Sequence, residues 1–303
     1  MAKPVFYGGQ AVIEGVMMRG PRHVAVAVRR ESGEIDTVVR EAQPWLTAHP
    51  AFNKVFLRGV FALVDSLRVG VWGLRWSASR ALLDAKPADA AAPKAVEGDP
   101  AIKGTMGIGL LIGVALFIVL PTVLAGALRH TTNPWTLNLV ETVVRLALFF
   151  GYIGLIGFIP GIRRVFQFHG AEHRTINAWE AHAPLTAQSC GQFSVVHPRC
   201  GTSFIMFVLI LASVVYAFLG WHTPLVRLAI RLGTLPIVAG AAYELLRLAG
   251  TLRGSAVMAV VTWPGRFTQR FTTREPDDSQ TEVAIAALNA VFDAEREGER
   301  SLA

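Results

Sequence analysis

The stretch that decides the fold is Thr105-Met-Gly-Ile-Gly-Leu-Leu-Ile-Gly-Val-Ala-Leu-Phe-Ile-Val-Leu-Pro-Thr-Val-Leu-Ala-Gly-Ala-Leu128, which carries no charge. A bilayer core takes about 20 apolar helical residues to cross, so the segment reads as a membrane span. Working outward, 137–158, 203–221 and 225–249 have the same character. The connections at 130–136 and 222–224 are short, so the four spans pair into two membrane hairpins. Composition agrees. Of 303 residues 52% are hydrophobic and 17% charged, against about 25% charged in soluble domains. An ordinary soluble enzyme and a disordered chain are both excluded.

Charge sets the orientation. Segment 1–103 holds 14 Lys and Arg, 161–202 four and 251–303 six, while the two short turns hold none. Positive residues stay on the cytoplasmic side. Both termini and the central loop are therefore expected in the cytoplasm of a bacterial inner-membrane, multi-pass protein. The net charge of +7 has its source in this bias. No basic stripe with interleaved aromatics is visible, so the lipid bilayer is the expected partner and nucleic acid is not. Two cysteines make no disulfide framework, and the first ten residues lack the apolar run of a secretory signal.

The parts outside the spans read in sequence order. Residues 1–53 form a cytoplasmic Gly-rich segment followed by a β-hairpin, because 23–30 and 35–39 alternate around Ser32-Gly33. Residues 54–84 read as an amphipathic interfacial helix, with Arg58, Asp65, Arg68 and Arg75 on one face; a fifth span is the alternative. Residues 85–103 are an Ala/Pro-rich linker, with transmembrane hairpins at 104–160 and 203–250. Residues 251–303 form a cytoplasmic helical tail. Its 264–276 stretch is polar, and Pro276 opens a helix with an apolar stripe at Val283, Ala287, Leu288 and Val291. The predicted fold class is an α-helical polytopic membrane protein with a small cytoplasmic α+β portion.

The central loop, 161–202, concentrates chemistry. His169, His173, His182 and His197 lie there with Cys190 and Cys200, and imidazole and thiolate are the usual ligands of zinc-like metals. His169-Gly-Ala-Glu172-His173 places two histidines four apart, on one helical face. The H-x-x-E-H order is that of the inverted zinc peptidases, with Glu172 as the base. His197-Pro-Arg-Cys200 sits just before the third span and offers a third or fourth ligand in His197 or Cys200. Eleven residues of helix span about 16 Å, so Glu180 cannot share an ion with His169. Glu180 and Asn177 are expected to support the ligands. In the Gly-rich segment, Glu14 and Arg19 are the polar side chains placed to meet substrate. Glu141 and Arg145, four apart within a span, suit a clamp, as do Glu244 and Arg247. Arg227 and Arg231 lie toward the outer end.

These motifs resemble a bacterial membrane family, the YqhQ-like proteins, labelled as metal-dependent enzymes. The likeness rests on Gly8-Gly-Gln-Ala-Val-Ile-Glu-Gly-Val-Met-Met-Arg-Gly20 and on Phe168-His-Gly-Ala-Glu-His-Arg-Thr-Ile-Asn-Ala-Trp-Glu180. It continues in His197-Pro-Arg-Cys-Gly-Thr-Ser-Phe204 and in Thr272-Thr-Arg-Glu-Pro-Asp-Asp278. The resemblance implies an integral membrane protein with a metal site. Two functions are expected from these readings. The first is a zinc-type, metal-dependent hydrolase at the cytoplasmic membrane surface, with His169, His173 and His197 or Cys200 as ligands. The alternative is an oligomeric membrane scaffold, channel or transporter, a homo-oligomer in which the His/Glu cluster is structural.

Overall fold

A computed structural model describes residues 7–84, 100–130, 132–252 and 255–300; the linker expected at 85–103 lies mostly outside them. Four strands come first: β1 (Gly8–Val12), β2 (Gly15–Arg19), β3 (His23–Arg29) and β4 (Ile35–Glu41). They form one antiparallel sheet in the order β1-β2-β3-β4. The expected hairpin is β3 and β4, turning at Gly33 with φ 88°. The Gly-rich segment that precedes it is itself a hairpin, β1–β2, with Gln10 opposite Met17. Glycine is what lets these strands close. A Cβ on Gly9 would lie 2.3 Å from the Met17 carbonyl oxygen, and one on Gly15 would lie 2.1 Å from that of Ala27.

Alternation along β3 puts Val24, Val26 and Val28 on one face and Ala25 and Ala27 on the other, all buried. Both faces are therefore covered, which a half-exposed hairpin would not need. On the valine side Val12, Met17 and Val69 complete the core. On the alanine side Val16 and Met18 meet Phe168, Ala171, Ile176, Ala284, Leu288 and Val291.

The helices follow. Short α1 (Trp45–Ala48) leads to α2 (Leu57–Asp84). α3 (Pro100–Val114) passes through a π-helical turn, Ala115–Val119, into α4 (Leu120–Gly126). Next come α5 (Pro134–Ile156), α6 (Pro160–Glu180), short α7 (Ala187–Cys190), α8 (Gly201–Phe218) and α9 (Pro224–Thr251). α10 (Ala256–Thr272) and α11 (Asp278–Arg300) close the chain. Four helical segments are long and apolar enough to cross a membrane: Gly107–Gly126, Pro134–Ile156, Gly201–Phe218 and Pro224–Thr251. α4 packs on α5 and α8 on α9.

α2 covers the valine face of the sheet. Its small residues Gly70 and Gly73 lie against Gln10 and Met17, and Gly59 against Gly240 and Tyr243 of α9. Three of the four charged residues expected on one face of α2 are paired within the protein. Asp65 meets Arg19 and Arg68, and Arg58 meets Glu244. Leu57, Val64, Leu67, Leu74 and Leu82 are exposed on α2.

α6 and α11 cover the alanine face. α11 begins as the sequence predicts. The Asp277 carboxylate accepts the Gln280 N–H at 2.8 Å, and the Gln280 side chain accepts the Asp277 N–H at 3.0 Å, a reciprocal cap. Val283, Ala287, Leu288 and Val291 are fully buried. The polar stretch expected at 264–276 is different: up to Thr272 it belongs to α10, with Pro264 inside. One face of it is interior, with Thr268, Gln269 and Thr272 buried, while Arg266 and Arg270 are exposed.

Candidate metal centre

α6 begins at Pro160, whose missing N–H is no loss in a first turn, and carries His169, Glu172 and His173 toward the start of α8. The motif's glycine has a packing reason. A Cβ on Gly170 would lie 2.1 Å from the Arg274 carbonyl oxygen, so only glycine lets the segment after α10 lie against α6. That segment is tied to α6 by the Arg274 N–H donating to the Phe166 carbonyl at 2.9 Å.

His169 and His173 stand with ring centroids 4.4 Å apart. His169 Nδ1 is 2.8 Å from the Thr272 carbonyl oxygen, and His173 Nδ1 is 2.6 Å from that of Val195. A carbonyl only accepts, so each Nδ1 carries a proton and Nε2 is the ring atom left to face a metal, which would displace any proton there. His169 Nε2 lies 3.2 Å from Cys200 Sγ. One donor atom from each of His169, His173 and Cys200 lies within 4.8 Å of the others. Orientation of ligand imidazoles by backbone carbonyls is the usual support of a metal centre, and two nitrogens with one sulfur suit a zinc-like ion.

Cys200 is the N-cap of α8, its sulfur accepting the Thr202 N–H at 3.4 Å. Burial pushes this thiol up, but the adjacent His169 and His173 outweigh burial and hold it well below its ordinary value. The helix N-terminus acts in the same direction. Burial would depress His173, yet the Glu172 carboxylate and Cys200 overcome it and raise His173 to about 9. Glu172 Oε2 is 3.4 Å from His173 Nε2, beside the three donors and able to accept a proton there.

The other residues singled out in the sequence are placed as follows. His197 is buried with its ring 5.7 Å from that of His173, but its nitrogens are engaged elsewhere. Nδ1 accepts the Arg199 N–H at 3.4 Å, and Nε2 is 3.5 Å from Glu180. Of the two alternatives, the structure brings Cys200 to the histidine pair and turns His197 toward Glu180, which also pairs with Arg199. Asn177 donates to the carbonyls of Ser194 (2.8 Å) and Val196 (3.2 Å), holding the loop whose Val195 carbonyl orients His173. Glu14, at φ 53°, pairs with Arg164 at the surface. Arg19 pairs with Asp65 of α2. The Gly-rich segment reaches the centre through Gly9, where a Cβ would lie 3.0 Å from Glu172 Cγ. Cys190 is buried in α7 and outside the donor set.

Sequence reasoning missed Gln269. Fully buried in α10, it accepts the His197 N–H at 2.9 Å and donates to the His197 carbonyl and to Ser203 Oγ, each at 2.9 Å. It thereby clamps the turn that presents Cys200. A buried glutamine carries no sequence signal of its own; its neighbour Thr272 did lie in a quoted motif.

The architecture defines a class: apolar helices of membrane-spanning length joined to a small helix-covered sheet, with a His/His/Cys cluster at the junction. Within that class, the chain belongs to the family described as "Protein of unknown function (DUF1385)", which matches residues 55–294. It is 34% identical over 314 aligned residues to "Uncharacterized protein YqhQ" of Bacillus subtilis (strain 168), covering 98% of this chain and 96% of that one. No solved structure matches.

Proposed function

We propose that this is a multi-pass protein of the bacterial cytoplasmic membrane that holds a divalent, zinc-type metal through His169, His173 and Cys200. The observation that carries this reading is the convergence of the three donor atoms within 4.8 Å, with both Nδ1 atoms tied to backbone carbonyls. In the metal-dependent hydrolase reading, the ion supplies Lewis-acid polarisation of a carbonyl or phosphoryl oxygen. Glu172 accepts the proton of the attacking water, while Asn177, Glu180 and Gln269 hold the ligand-bearing loops. The positive-charge bias supports a cytoplasmic location for both termini and the centre. The exposed apolar residues of α2 support its lying in the membrane interface.

One observation favours a second reading, a structural metal in a membrane scaffold or transporter. His173 and Cys200 are almost wholly buried, and structural metal sites are closed.

Elemental analysis of protein purified without a metal-binding tag tests the proposal. About one zinc per chain is expected, lost in His173→Ala and in Cys200→Ser but kept in Glu172→Gln. Metal-free wild-type protein refutes the metal centre. Equal metal loss in Glu172→Gln makes Glu172 a ligand and refutes its role as base.

A further inference from the structure

At the opposite end of the bundle from the sheet, three arginines converge on one carboxylate. Arg145 of α5 and Arg227 and Arg231 of α9 all pair with Glu141 of α5. All four residues are buried. Among the described residues no other acidic side chain meets the three arginines, so the cluster carries two uncompensated positive charges. Charge in an apolar surrounding is costly unless it is paired.

The protein supplies neutral acceptors. Pro121 has no N–H to donate to the Phe117 carbonyl four residues earlier, in the π-helical turn. Arg145 Nε donates to that carbonyl at 3.2 Å. Arg231 Nη1 reaches the Ile118 carbonyl at 3.4 Å and also Thr122 Oγ1. The Trp221 ring lies 3.4 Å from the Arg227 guanidinium carbon, and the Tyr216 ring faces Arg145 and Arg231 at 5.8 and 5.3 Å. Dipoles and ring faces soften charge without cancelling it.

Depth identifies what completes the cluster. Arg227 is three residues and Arg231 seven residues into α9, while Glu141 is seven residues into α5. At 1.5 Å per residue Arg227 and Arg231 start about 5 Å and about 10 Å below the start of α9, and Arg145, eleven residues into α5, about 16 Å below its start. Trp221 and Trp135 stand at the same end, where aromatic side chains mark a membrane interface. Arg227, nearest the helix end, is the fork closest to the level of lipid phosphates, and guanidinium forks match phosphate oxygens.

We propose that Arg145, Arg227 and Arg231 form a binding site for a phosphate-type oxyanion at the outer edge of the bundle, with Glu141 holding the forks in place. The phosphate can come from an anionic lipid headgroup or from the aqueous phase.

The full-length protein in phosphatidylcholine nanodiscs is the test system. Thermal midpoints are measured with added phosphatidylglycerol, with inorganic phosphate, and with chloride at equal ionic strength. Phosphatidylglycerol or phosphate is expected to raise the midpoint beyond chloride, and whichever acts names the source. Arg227→Gln and Arg231→Gln are expected to weaken that response at least tenfold in ligand concentration. Arg247→Gln, at an exposed position near the other end of α9, is expected to leave it unchanged. Arg227→Lys, which keeps the charge but not the fork, replaces a variant that does not fold. No response beyond chloride in wild-type protein, or an equal response in every variant, overturns the site and leaves an ion clamp.

Discussion

Replacing Gln269 by leucine tests whether α10 positions Cys200. The leucine fills nearly the same volume in a site with no exposure but removes both partners of the His197 backbone and the Ser203 contact. A buried polar group left without its partner costs about 1–3 kcal/mol. The His197 N–H and carbonyl together therefore cost about 2–6 kcal/mol, with Ser203 free to turn back on its own helix. At about 2–4 °C per kcal/mol for a chain above 150 residues, the thermal midpoint should fall by roughly 10 °C. Zinc content should fall with it, because the turn that carries Cys200 is no longer pinned. Gln269→Glu keeps an acceptor for the His197 N–H and loses the donor, so it should lie between leucine and wild type. Thermal unfolding in detergent and zinc per chain are read on the same samples. Wild-type stability and zinc content in Gln269→Leu would refute the reasoning.

Gly170→Ala drives a Cβ to 2.1 Å from the Arg274 carbonyl oxygen; separation of α6 from that segment should break the His169–Thr272 contact and show as lost zinc in a folded protein. Leu288→Ala, at a fully buried position of α11, should destabilise by about 2–5 kcal/mol in chemical unfolding followed by circular dichroism, with the apolar helices retained. Burial pushes the Glu295 carboxyl up, but the N–H groups of Arg22 and His23 and the Arg22 guanidinium outweigh burial and hold it below its ordinary 4.5. Its contribution to stability is thus present above about pH 4.5 and is lost as pH falls through the lowered value; protection of the α11 amides, corrected for the intrinsic exchange rate at each pH, should fall on acidification, and Glu295→Gln should flatten that dependence. Reporter fusions at Pro184 and after Ala303 should both give cytoplasmic signals, and an external signal at Pro184 would refute the topology.

Much of the architecture is local and was legible. The four apolar segments, the alternation of β3 and the 3–4 spacing of Val283, Ala287, Leu288 and Val291 follow from side-chain periodicity, which a sequence displays directly. The pairing of His169 with His173 is of the same kind, since helical geometry alone sets residues four apart on one face. The glycine-rich strands were not legible as strands because glycine has no periodicity to show. Their need for glycine lies in the close backbone of the neighbouring strand.

What only the tertiary structure decided involves groups far apart in the chain. His197 and Cys200 were equal candidates from spacing; the choice came from the path of the turn over Gln269, 72 residues beyond His197. Glu141 and Arg145 announce themselves as an i, i+4 pair, but nothing local says that Arg227 and Arg231 join the same carboxylate. A sequence determines which face of each element is apolar and which bears charge. Which faces meet is settled by shape and by the need to satisfy buried donors and acceptors, and that is a property of the packed chain.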